Sequence, residues 1–106
     1  MISGQPIPYP CLIVENPVTD TVGTSPTLIA RNNADRVQII VINVGTRDIY
    51  LGFSPRVSSS RGFWLSAQGG VFQMKYFEDG EAVMRELYAV SPGGPDTIYV
   101  IEFVRR

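Results

Sequence analysis

The sequence predicts an all-β chain: an antiparallel β-sandwich of jelly-roll or immunoglobulin-like type, with about eight short strands and an extended Pro-rich N-terminal arm. Three observations carry that expectation. Short β-branched and aromatic runs recur, most clearly in "RVQIIVINV" and "TIYVIEFVR". Turn signals rich in Gly, Pro, Asn and Asp separate the runs at intervals of roughly ten residues. No segment offers a long helical period. "DGEAVMREL" supports at most one turn around Ala82, Val83 and Met84, too short for a helix without caps.

The elements follow in order. Residues 1–10, "MISGQPIPYP", hold Pro6, Pro8 and Pro10, each blocking helix and biasing its predecessor toward extended backbone. With Tyr9 they read as an arm ahead of a single sandwich domain over residues 11–106. "CLIVE" is a short strand ended by "NPVTD", and Leu28 and Ile29 mark a brief apolar segment before the turn cluster "RNNADR". In residues 36–44 both alternation sets, Val37/Ile39/Val41 and Ile40/Ile42/Val44, are β-branched, which predicts cover on both faces. "NVGT" turns the chain and "DIYLGF" returns it as a hairpin. "SPRVSSSR" joins that strand to "GFWL": Pro55 ends the first, and the serines satisfy backbone groups at a corner.

"VFQMKYF" is a strand after the turn at Gly69 and Gly70, "EDGE" a charged turn, "RELYAV" a strand and "SPGGPD" a turn. The closing strand presents two apolar rows. Thr97, Tyr99, Ile101 and Phe103 share one face, and Ile98, Val100, Glu102 and Val104 the other. A sandwich has one inner face per sheet, so the row holding Ile98, Val100 and Val104 calls for cover by a neighbouring subunit. Scattered apolar residues on an outer face are the ordinary alternative.

Composition narrows the function classes. The chain has 106 residues, the size of one domain, and nine basic against ten acidic residues leave a formal charge of −1. That balance provides no basic footprint for nucleic acid. Lys75 is the only lysine, so the cations are nearly all arginine, which suits planar ion pairs at interfaces. Arg31, Arg36, Arg56, Arg61, Arg105 and Arg106 are candidates for pairing with a partner's carboxylates. Cys11 is the only cysteine and histidine is absent, which excludes an intrachain disulfide, a His-based triad and most zinc sites. Within an apolar strand, Cys11 reads as a buried, inert thiol. The first ten residues lack the basic and apolar regions of a signal peptide, and no apolar run approaches a membrane span. The expectation is a soluble protein made in the cytoplasm.

No catalytic constellation or cofactor motif emerges. Glu78, Asp79, Glu81 and Glu86 fall in "EDGEAVMRE", whose order does not match a calcium loop, and a solvated turn accounts for them. The serines at 58–60 have no base, and "GTRDIYLG" lacks the strand–loop–helix setting that cradles phosphate. Tyr9, Tyr50, Phe53, Phe63, Trp64 and Tyr76 could stack on sugar rings or bases. Without a basic stripe the bases drop out. An exposed Trp64 would suit a sugar, although a Trp beside Phe and Leu is more often core or interface.

Residues 36–104 resemble a β-sandwich pattern of tailed-bacteriophage virion proteins. The resemblance rests on a β-branched strand ending in Asn43-x-Gly45, the "IYLG" return strand and "V-S-S-S-x-G-x-x-L", followed by a Gly-turn-led strand, "LYAV" and a final "I-x-V-x-E". It implies a non-enzymatic part without cofactors, similar to the decoration (cement) proteins of the outer head surface. The same pattern looks like one used in neck, tail, baseplate and fibre components. For a decoration protein it implies a homo-oligomer, usually a trimer, whose partner is the major capsid protein. The arm, with Pro6, Pro8, Tyr9 and Pro10, lies outside the pattern and would reach across the shell or a neighbouring subunit. Arg56, Arg61 and Trp64, around the serine loop, would then be contact residues.

Overall fold

The computed structural model describes the backbone of residues 11–16 and residues 22–105 in full. The expected contacts of Pro6, Pro8, Tyr9, Pro10 and Arg106, and the Cys11 side chain, lie outside the described residues. Among the described residues, eight strands run β1 Cys11–Asn16, β2 Thr27–Ala30, β3 Arg36–Asn43, β4 Ile49–Gly52, β5 Phe63–Leu65, β6 Val71–Lys75, β7 Leu87–Val90 and β8 Ile98–Arg105. They form two four-stranded antiparallel sheets, ordered β1-β8-β3-β6 and β2-β7-β4-β5. The pairs are nested: β1 with β8, β2 with β7, β3 with β6 and β4 with β5, as if one long hairpin had been folded over on itself.

Both sheets contribute to one apolar core. Ile39, Val41, Met74, Ile98 and Val100 come from the first sheet, and Ile29, Ile49, Leu51, Leu65, Leu87 and Ala89 from the second. On β4 the alternation is direct: Ile49 and Leu51 are buried and Tyr50 between them is not. Burial of branched side chains at about 25 cal/mol per Å² is the main stabilising term for such a core.

Strand β3 departs from the simple alternation of its sequence. A bulge pairs Arg36 with Val104 but Gln38 with Phe103, so Val37 is the extra residue. The bulge turns Arg36 inward, where strict alternation would have placed Val37. Val44, expected to be covered, is 54 % exposed.

Arg36 is fully buried, and its guanidinium reaches four acceptors. Nε donates to the Val83 carbonyl at 2.7 Å. Nη1 donates to the Arg31 carbonyl at 2.9 Å and to Glu102 Oε1 at 2.8 Å, and Nη2 donates to the Arg85 carbonyl. Glu102 lies on the inner row of β8 opposite Ile39, with its side chain 12 % exposed. One side chain thus ties the β2–β3 connection, the turn before β7 and the last strand together. A buried charge is tolerable when its donors are matched in this way.

The segment after β6 differs from the expected strand through Phe77. Strand pairing ends at Lys75 opposite Gln38, next to the β3 bulge, and Tyr76–Asp79 forms one helical turn (α1). Asp79 Oδ2 accepts the Lys75 N–H at 2.9 Å, closing that turn. A 3-10 turn over Gly80–Met84 follows, in the segment where the sequence allowed one turn, and it anchors through buried Val83.

The β5–β6 turn depends on close backbone approach. A Cβ added at Gly70 would lie 2.5 Å from the Ser66 nitrogen and 2.6 Å from its carbonyl oxygen. Backbone atoms in a hydrogen-bonded turn have little room to shift. Gly70→Ala is therefore expected to cost about 3 kcal/mol in urea unfolding. Gly23→Ala, whose Cβ would meet its nearest backbone atom at 3.9 Å, should stay within about 0.5 kcal/mol of the parent. Equal stabilities for the two variants would contradict this reading of the turn.

Candidate interaction surfaces

The motifs that carry the resemblance resolve into structural parts. Asn43 is buried, and its Nδ2 donates to the carbonyls of Arg47 at 2.8 Å and Leu65 at 3.0 Å. Its Oδ1 accepts the Gly45 N–H at 3.0 Å, so one amide pins both limbs of the β3–β4 turn. A Cβ at Gly45 would overlap the Asp96 carboxylate at 1.9 Å, which explains the small residue at that spacing. Asp96 in turn accepts the N–H of Arg47 and of Thr97.

In the serine loop, Val57 is the plug. It is buried, and a Cβ at Gly52 or Gly62 would meet its side chain at 3.0 Å or 2.8 Å. Ser58 and Arg61 exchange reciprocal backbone hydrogen bonds, both 3.0 Å, leaving Ser59 and Ser60 at the tip of a tight turn. The expected role of the serines at a corner agrees with this geometry. "V-S-S-S-x-G-x-x-L" therefore encodes a plug, a turn, a gap and a core leucine, Leu65. None of these is a reacting group.

The expected contact residues fall into two sets. Arg56, Arg61 and Trp64 are exposed on the loop and on β5, an edge strand of the second sheet, and Trp64 is 64 % exposed. Ile98 and Val100 require correction. They are 1 % and 0 % exposed and belong to the chain's own core, so they have no surface to offer a neighbouring subunit. Val104 is half-buried beside the bulge. Two apolar rows on one strand do not reveal which is inner; the partner sheet decides that.

The row facing outward is Tyr99, Ile101 and Phe103, flanked in register by Ile42, Ile40 and Gln38 of β3. Val71 of β6 lies opposite Ile42 and is 58 % exposed. These residues form an apolar patch on the outer face of the first sheet, with Gln38, Gln73 and Lys75 on the same face beside it. Among the arginines, Arg36 is also corrected: it pairs internally and cannot serve a partner's carboxylate. Arg105 Nη2 lies 3.1 Å from Asp35 Oδ1 in an exposed pair, a contact worth little by itself.

Aromatic rings close the gap between edge strands β5 and β6. Phe63 sits edge-on to Phe53 at 6.0 Å and tilted against Phe72 at 5.0 Å, and Arg85 lies over the Phe53 ring at 5.9 Å. Two open cavities flank the serine loop. One, of about 320 Å³, lies against Phe53, Val57, Arg61 and Phe63. The other, of about 330 Å³, is lined by Arg47, Asp48, Tyr50, Ser59, Pro92 and Gly93. Among the described residues, no three His, Cys, Asp or Glu side chains converge on a possible metal position. No helix among them is long and apolar enough to cross a membrane. Comparison with protein-family models, curated proteins and solved structures returns no match.

Proposed function

We propose that the chain is a jelly-roll virion subunit of a tailed bacteriophage, a decoration or cement protein that binds the major capsid protein on the outer head surface. The strand order carries the jelly-roll reading. Sheets ordered 1-8-3-6 and 2-7-4-5, with nested pairs from 1–8 to 4–5, suit two interleaved Greek keys. An immunoglobulin-like order would instead pair the first strand with the second. Jelly rolls recur in viral shell domains, and the resemblance of residues 36–104 to phage virion proteins supplies the particle and the class of partner.

Its mechanism is area burial, without catalysis and without a cofactor. The apolar patch on the outer face of the first sheet, centred on Ile40, Ile42 and Ile101, offers the surface for a neighbouring copy in a homotrimer. Exposed Arg56 and Arg61 offer forked donors to capsid carboxylates. Each Å² of apolar surface removed from water contributes about 25 cal/mol before association entropy is subtracted.

Sedimentation of the purified chain, alone and with expanded capsids of its phage, tests the reading. The expected result is a defined oligomer that co-sediments with the shells. Removing residues 1–10 should weaken that attachment while leaving the circular dichroism spectrum unchanged. A monomer that leaves the shells bare refutes the decoration role, and unchanged attachment after truncation refutes the role of the arm.

A further inference from the structure

We propose that the outer face of the second sheet carries a binding site for a neutral saccharide, built from the Tyr50–Trp64 pair and the cavity beside it. Ile49, Leu51 and Leu65 are buried at 0 %, 0 % and 2 % exposure. Tyr50 and Trp64, directly opposite each other on neighbouring strands, must therefore project from the other side of the sheet. Trp64, the only tryptophan of the chain, stands 64 % exposed there. Leaving an indole in water is costly when burial of so large a ring stabilises so much. A pyranose presents a C–H face that covers such a ring while its hydroxyls stay in water or on polar groups.

The polar groups are adjacent and already held. Tyr50 forms a wall of the 330 Å³ cavity, together with Arg47, Asp48 and Ser59, and this volume suits one sugar ring rather than a large ligand. Asp48 Oδ1 accepts the Ala67 N–H at 3.0 Å, and Arg47 Nη1 donates to the Pro95 carbonyl at 3.1 Å. Gly94 has φ +134°, and a Cβ there would lie 3.0 Å from the Arg47 guanidinium carbon, so the glycine leaves Arg47 its place. Side chains fixed beforehand lose little entropy on binding.

The chemistry selects the ligand class. A carboxylate accepts, a guanidinium donates in a fork and a hydroxyl does both, which together match a pair of neighbouring sugar hydroxyls. One cation and one anion cancel, so the site does not recruit a charged ligand. The basic groove that tracks a nucleic-acid backbone is missing from this wall. The inference is independent of the chain's station in a phage particle.

The test is a glycan array probed with the intact protein, followed by titration of Trp64 fluorescence with the retained glycans. The expected result is retention of at least one neutral glycan, with a saturable change in emission and a Kd on the order of 1 mM per ring. Trp64→Ala should abolish retention on the array. Asp48→Asn, which keeps an acceptor for the Ala67 N–H, should weaken binding by about tenfold, equivalent to one lost charge-assisted hydrogen bond. If no neutral glycan is retained, or if Trp64→Ala leaves retention unchanged, the proposal fails. It also fails if sugars are silent while Trp64→Ala disrupts oligomers or capsid attachment, because the face is then a protein interface.

Discussion

Arg36→Met lowers the free energy of unfolding by about 3 to 5 kcal/mol, the largest loss expected from any single polar substitution in this chain. The variant leaves Glu102 without its cationic partner and strips donors from the carbonyls of Arg31, Val83 and Arg85. Lysine does not substitute, since a point charge cannot satisfy four acceptors spread around a planar fork. For a chain of this size the thermal midpoint should fall by more than about 10 °C. Adding Glu102→Leu to Arg36→Met should recover part of the loss, because the unpaired buried charge is removed. Recovery stays partial, as the three carbonyls remain unmet. A single variant within about 1 kcal/mol of the parent in urea unfolding would mean that Arg36 is not the buried node described above.

Ile98→Ala is the second large effect, at about 2 to 5 kcal/mol from lost transfer energy and the cavity left behind. Ile98 faces the core at 1 % exposure. Its counterpart on the outward row, Ile101, behaves differently. Ile101→Ser should cost about 1 kcal/mol or less in the isolated chain, yet weaken the homo-oligomer proposed above, raising the concentration at which it forms. Unfolding titrations and sedimentation of the two variants separate core from interface. If Ile98→Ala weakens assembly while leaving stability intact, the assignment of inner and outer rows on β8 is reversed.

Much of the architecture was legible in the sequence because it depends on local signals. The β-branched runs gave β3 and β8 nearly to their ends, and Gly, Pro and Asn clusters placed the turns. Other features depend on what packs against what. Periodicity showed two apolar rows on β8 but could not say that Ile98, Val100 and Glu102 point inward, since that follows from the position of the second sheet. The bulge at Val37 left no mark on a run of alternating branched residues, so buried Arg36 read as one more surface arginine. The one available clue was Glu102, the only charge in the interior of β8, which needed a buried partner. Tyr76 and Phe77 have strand propensity, but the end of pairing at the bulge and the Asp79 contact with the Lys75 N–H turn them into a helix.

The surface was less legible. Exposure of Trp64 was recognisable only as one possibility, and its pairing with Tyr50 follows from a register that turn lengths alone do not fix. In the sequence the serine loop reads as a corner whose serines satisfy backbone groups, with no sign of a buried centre. Its centre is instead Val57, lodged between Gly52 and Gly62, with Arg56 and Arg61 outside.

Imaging of the phage particle tests the central claim most directly. Density fitting this two-sheet chain should appear on the outer head surface, in three-fold groups repeated across the shell, with the Ile40–Ile101 face between copies. Density confined to a neck, tail or baseplate ring, or missing from the particle altogether, would contradict the decoration reading.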